Sequence, residues 1–145
     1  MAPEAGLITV AYVSTAAHVL SVEELADILA ISRERNVRDG ITGLLLYHDG
    51  SILQVLEGPE PEVRATMARI QQDARHYQIA ILLDQPIGER AFAGWAMGFK
   101  HVEELSPEDG ELLTAFQSGR LQDVGFLRNP ARAWHIFKRF ADAMR

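Results

Sequence analysis

Gly40-Ile41-Thr42-Gly43-Leu44-Leu45-Leu46-Tyr47-His48-Asp49-Gly50-Ser51-Ile52-Leu53-Gln54-Val55-Leu56-Glu57-Gly58 is the stretch on which the fold turns. Two apolar runs meet at Asp49-Gly50, a tight-turn dipeptide, so the segment reads as a β-hairpin from roughly Ile41 to Glu57 with buried strands. Gln54 stands inside the more apolar run. Its amide must find partners or cost about 1–3 kcal/mol. On the residues alone it is either a satisfied core polar group or a contact to a bound heteroaromatic ligand.

Working outward, Leu7 to Val13 reads as a first strand, apolar enough to be buried. Ser21-Val22-Glu23-Glu24 is a capping box that opens a helix running to about Arg35, with Val22, Leu25, Ala26 and Leu29 as its core stripe. After the hairpin, Gly58-Pro59 breaks the strand and Pro61 suits a helix start. Val63, Met67, Ile70 and Ala74 form the stripe of this second helix, which ends near Asp73. Strands over Tyr77 to Asp84 and Phe92 to Phe99 complete the order β-α-β-β-α-β-β. That order predicts an α+β ferredoxin-like sandwich with both helices on one sheet face. Beyond Leu105, Ser106-Pro107-Glu108-Asp109 and Asn129-Pro130 are two further helix starts. The last helix carries Ala133, Phe137, Phe140 and Met144 on one side, with Trp134 at its margin, and 117–128 reads as a connector. Two C-terminal helices are therefore expected on the opposite sheet face, dividing the chain into a main unit over 1–103 and a helical extension over 104–145.

The 145-residue length suits one domain with that extension. A net charge of −6 argues against non-specific binding to nucleic acid or acidic membranes. Cysteine is absent, which removes disulfides, thiolate metal sites, nucleophilic thiols and cysteinyl–flavin bonds. The five histidines show no close HxxxH pairing, and no glycine-rich phosphate loop occurs. No run is apolar for long enough to span a bilayer, and no secretory signal opens the chain, so a soluble cytoplasmic protein is expected.

Period two puts Ile8, Val10, Tyr12 and Ser14 on one face of the first strand, and Ile52, Gln54, Leu56 and Gly58 on one face of the third. In a ferredoxin-like sheet these strands are adjacent, so Tyr12 and Gln54 are expected to face the helices within reach of each other. Arg69 and Asp73 lie four residues apart on the second helix, and Asn36 falls just beyond the first, where Ser32 and Arg33 interrupt its apolar pattern. Together they would suit a flat, polar-edged ring slotted between the helices. Each also has an ordinary reading. Tyr12 can be core with a satisfied hydroxyl, Arg69/Asp73 a surface pair, Asn36 a helix terminus, and Trp95 and Met97 core packing.

Taken as an ordered set, the motifs resemble the BLUF family of blue-light sensors that use FAD. They are Tyr12-Val13-Ser14; Asn36 followed by Gly40-Ile41-Thr42-Gly43-Leu44-Leu45-Leu46-Tyr47; Gln54-Val55-Leu56-Glu57-Gly58; Asp73-Ala74-Arg75-His76; and Arg90-Ala91-Phe92 leading to Trp95-Ala96-Met97-Gly98. The resemblance implies non-covalent FAD, with Tyr12 as photochemical electron donor and Gln54 bridging it to the flavin. It implies Ser32, Asn36, Arg69 and Asp73 along the ring, Arg75 and His76 toward the ribityl and phosphate tail, and Trp95 and Met97 as the signal relay. Ile52 departs from a common phenylalanine, and Arg35 from a histidine found in some members.

On this reading the protein is a photoreceptor and not an enzyme, because about 40 residues of helix cannot house an output enzyme. It would signal to an unidentified downstream protein, or through an altered homo-oligomer. A colourless small-ligand or interaction domain shares the packing evidence without the flavin. An acylphosphatase-like hydrolase is a weaker alternative, since Ser14-Thr15-Ala16-Ala17-His18 lacks glycine and arginine.

Overall fold

The computed structural model describes residues 6–101 and 129–144, with the backbone alone for His101, Ala143 and Met144. Its elements are β1 (Leu7–Ala16), α1 (Val22–Asp39), β2 (Thr42–His48), β3 (Ser51–Pro59), α2 (Glu60–Gln72), β4 (His76–Pro86), β5 (Gly98–His101) and α3 (Pro130–Met144). The five strands form one sheet in the order β4-β1-β3-β2-β5. The first four pair antiparallel, as in a ferredoxin-like sandwich, and β5 adds parallel to β2 at the edge.

Side-chain alternation gives each face of the sheet its own main core, with a smaller cluster of Ala16, Leu25 and Tyr47 beside them. On one face Ile8, Val10, Tyr12, Leu45 and Leu56 pack with Leu29 of α1 and with Val63 and Met67 of α2. On the other, Ala11, Val13, Leu44, Leu46, Leu53 and Val55 pack with Phe92 and with Ala133, Phe137, Phe140 and Ala141 of α3. One of the two expected C-terminal helices thus covers the face away from α1 and α2. The other, with the 117–128 connector, lies outside the described residues, as does the side chain of Met144.

Local chemistry explains the boundaries. Ser21 accepts from the Glu24 backbone N–H while the Glu24 carboxylate accepts from the Ser21 N–H, the reciprocal capping box. The helix does not stop at Arg35. It runs to Asp39 and ends where Gly40 takes a left-handed φ of 71°, a conformation glycine adopts without a Cβ clash. Asn36 therefore sits in the last turn of α1 and is buried there. The expected stripe is also rotated: Val22 is 75% exposed and Ala26 is exposed, while Leu25, Leu29 and Asn36 face inward. On α2 the buried positions are Val63, Thr66 and Met67, and Ala74 lies beyond the helix, exposed. Gly43 has a packing reason: an added Cβ would stand 2.0 Å from the Val55 carbonyl oxygen.

The last strand is shorter than its sequence suggests. It begins at Gly98, so Trp95 and Met97 lie in the irregular segment before it. Apolar alternation from Phe92 imitates a strand, but ladder pairing with β2 begins only at Leu44↔Gly98. Upstream, the backbone groups of this segment are used otherwise: Trp95 donates to the Phe92 carbonyl and accepts from the Gly43 N–H.

Candidate functional site

Between α1, α2 and the sheet lies a cleft of about 190 Å³. Its floor is the β1/β3 pair, where Tyr12 stands directly opposite Gln54 in the ladder. Both side chains are buried, and the Tyr12 hydroxyl donates to Gln54 Oε1. Gln54 Nε2 in turn donates to Met97 Sδ at 3.6 Å. An amide carries two N–H bonds, so this orientation leaves a second donor for the cleft. Burial first, and the Asp73 carboxylate second, push the Tyr12 phenol well above its ordinary range. Tyr12 is therefore neutral near pH 7, with its proton aimed at Gln54.

The residues expected around a ring all line this cleft: Tyr12, Ser32, Asn36, Gln54, Arg69, Asp73, Arg75 and His76. Their bonding differs from expectation in two places. Arg69 does not pair with Asp73; it approaches Asp39 at 3.8 Å and donates to Thr66 Oγ1 at 3.3 Å. Asp73 is the C-cap residue of α2 and so leaves the helical register, where it takes Arg75 instead, at 2.5 and 3.0 Å. Asn36 Nδ2 donates to the Ala96 carbonyl at 2.6 Å, bracing the segment before β5. His76 Nε2 lies 2.7 Å from the Ile70 carbonyl, a pure acceptor, so this nitrogen carries the proton. In neutral His76, Nδ1 then accepts from Ser14 Oγ at 2.9 Å.

Arg75 holds the Asp73 carboxyl at about 2, below its ordinary 3.8. Since the folded value is the lower one, ionised Asp73 favours the fold above pH 3.8, and that contribution is lost as pH falls through about 2. The stability difference between the wild type and Asp73→Asn should be constant above about pH 5 and close as Asp73 protonates. Urea titrations across that range measure it; a difference unchanged at the acid end would trace it to something other than the carboxylate's charge.

Several contributors escape sequence reasoning. Arg33 donates from Nε to the Met97 carbonyl at 2.9 Å, a second brace from α1 on the same segment. Arg35, Tyr47 and Thr66 line the cleft, and Ile28 and Ile31 of α1 supply apolar wall with Leu45, Ile52 and Ile70. Helical spacing from Leu25 through Ile28 and Ser32 to Arg35 and Asn36 would have found this wall, had the stripe not been anchored on Val22. Trp95 belongs to the other core: it packs partly buried beside Phe92, with ring centroids 6.0 Å apart. Met97 belongs to the cleft side. The two relay candidates thus address opposite faces of the sheet.

Apolar walls with amide and guanidinium groups at the margin suit a planar heteroaromatic ring that has carbonyls on one edge. The chain matches the BLUF family model, "Sensors of blue-light using FAD", over residues 7–98. It belongs to that family: it carries a blue-light sensor domain whose cofactor is FAD. Among curated relatives it is 43% identical over 121 residues to photoactivated adenylate cyclase subunit alpha of Euglena gracilis, covering 83% of this chain and 11% of that protein. It is 33% identical over 98 residues to the blue light- and temperature-regulated antirepressor BluF of Escherichia coli (strain K12), covering 68% and 24%. Among solved structures it resembles the dark state of BlrB, a BLUF protein, with TM-score 0.72 and 32% identity over 88% of this chain and 96% of that one. The photo-activated state of BlsA gives TM-score 0.74 at 25% identity, covering 93% and 94%. The chain spans about a tenth of the length of the cyclase subunits it matches (11%, 9% and 13%). Among the described residues, no helix is long and apolar enough to cross a membrane.

Proposed function

We propose that Tyr12 and Gln54 are the photoactive pair of this sensor and that Met97 takes the first step of its signal. The observation that carries the reading is the continuous chain from the Tyr12 hydroxyl through the Gln54 amide to the Met97 sulfur, at the floor of the cleft. Ser32, Asn36, Gln54, Arg69 and Asp73 would hold the ring, with Arg75 and His76 toward the ribityl and phosphate tail. Bound FAD supplies blue absorption and, once excited, a strong oxidant. Tyr12 is the oxidisable side chain beside it; its raised pKa keeps the phenol protonated until its electron is lost, and the oxidised phenol is then strongly acidic. Gln54 Oε1 is placed to take that proton, and both proton and electron return to Tyr12 on recombination. No substrate is consumed. The amide left behind is rotated or tautomerised, so it no longer presents the same N–H to Met97. That change is small in energy and needs a responsive neighbour, which the braced segment through Trp95 and Met97 provides.

In this reading the unit over 1–103 is the sensor and 104–145 its output extension. The chain itself catalyses no reaction and passes its signal to a downstream protein in the cytoplasm or to a second copy of itself. Purified protein should be yellow, release FAD into the supernatant on heat denaturation, and shift its absorption to the red under blue light. Colourless protein that takes up no added FAD would sink the reading.

A further inference from the structure

Glu57 is the one carboxylate buried in the core among the described residues, at 0% exposure, and the cleft does not use it. It lies three residues after Gln54 on β3, on the opposite face of the sheet. Its Oε2 accepts from the Ala91 N–H at 2.9 Å, and its Oε1 from the Phe92 N–H at 2.6 Å and from Thr42 Oγ1 at 2.8 Å. Thr42 accepts from Arg90 Nη1 at 2.9 Å, so its own proton is spent on Glu57. Arg90 Nη2 also donates to the Gly40 carbonyl, at 2.8 Å. The chain leading to Trp95 and Met97 is therefore hung, at Ala91 and Phe92, on the strand that carries Gln54.

In the ladder Glu57 is flanked by two threonines, Thr42 on β2 and Thr9 on β1. Thr42 is bonded to it. Thr9 is fully buried, and its Oγ1 has no hydrogen-bond partner among the described residues. Directly opposed side chains have their Cβ atoms about 4.5–5.5 Å apart, so a rotamer change brings this hydroxyl to the carboxylate. An orphaned donor in a dry core is costly and calls for an explanation.

We propose that Glu57 is a positioning residue for the photoreaction, a latch with two sets of partners: Ala91 and Phe92 in the dark, and Thr9 when the Trp95–Met97 segment shifts. When the Gln54 amide turns away from Met97, the segment is released at its cleft end, and the bonds at Ala91 and Phe92 are the anchor against which it shifts. A carboxylate losing a backbone donor there would be left under-solvated. The spare Thr9 proton fills that loss and so favours the shifted state alone. Burial already pushes the Glu57 carboxyl above its ordinary range despite four stabilising neighbours, so it tolerates the loss of a donor poorly.

The inference rests on Tyr12 and Gln54 being the photoactive pair, which the wild-type red shift and the Gln54→Leu variant test separately. The deciding variant is Thr9→Val in the full chain, similar in shape and losing no bond present in the dark. Flavin content, dark spectrum and extent of red shift should match wild type, while thermal recovery in the dark runs about fivefold faster, the factor that one net hydrogen bond confers. Thr9→Ser, which keeps the hydroxyl, should restore the wild-type rate. Light-minus-dark infrared spectra should show a carboxylate stretch that Glu57→Gln removes and Thr9→Val shifts. Wild-type recovery in Thr9→Val, or a difference spectrum whose carboxylate bands survive Glu57→Gln, would overturn the latch even where the photocycle is intact.

Discussion

Gln54→Leu should bind FAD and give no red-shifted state at all. Leucine keeps the approximate shape of the side chain within an apolar strand, so the sheet has no reason to rearrange. The same change removes both contacts that matter, the acceptor for Tyr12 and the donor to Met97. Tyr12→Phe should lose the red shift too, because the hydroxyl that supplies the proton is gone. The two variants also predict a stability pattern in the flavin-free protein. Each single change strands one buried polar group, at a cost of about 1–3 kcal/mol, whereas the double variant strands neither and should cost less than the sum. Absorbance under blue light and urea titration read the two effects independently. A normal red-shifted state in either single variant would remove Tyr12 and Gln54 from the mechanism; additive stability costs would show that their bond contributes nothing to the fold.

That pair was legible because β-strand geometry is rigid. A period of two fixes which residues share a face, the tight turn at Asp49-Gly50 sets the β2–β3 register, and the adjacency of β1 and β3 in a ferredoxin-like order brings Tyr12 opposite Gln54. Helix faces were less legible. Val22 reads as core by hydropathy, yet it is exposed in the first turn, and the inner face is set by what the helix packs on. Salt-bridge partners were least legible. Spacing pairs Arg69 with Asp73, but one residue of departure from helical geometry hands Asp73 to Arg75 and leaves Arg69 to approach Asp39. Glu57 was within reach: it stands in the same apolar stretch as Gln54, and the argument that a buried polar group must be satisfied applies with more force to a carboxylate. The segment before β5 misled because hydropathy alternation reports burial, not ladder pairing.

Phe137→Ala should cost about 3–5 kcal/mol, a large part of the 5–15 kcal/mol typical of a whole domain. Phe137 is wholly buried, in the same core as Phe92, Leu44 and Val55, with Trp95 packed against its edge. The loss should not spread evenly. β1 and β3 are held from both faces and keep the second core around Val10, Leu56 and Val63, whereas the described part of α3 meets the sheet on one face only. Its ion pair to the segment after β4, Lys138 to Glu89 at 3.3 Å, is exposed. Native-state hydrogen exchange should therefore show α3 amides losing most of their protection while those of β1 and β3 keep most of theirs. This asymmetry is what an output element needs. A rearrangement at Gln54 is worth only a few hydrogen bonds, too little to melt a sheet clamped on both faces, but comparable to the free energy that holds one helix to one face. Light should then change exchange most in α3 and across Trp95 to His101 in the wild type. Equal loss of protection in α3, β1 and β3 of Phe137→Ala would make them one cooperative unit, and the signal would have to leave the domain by another surface.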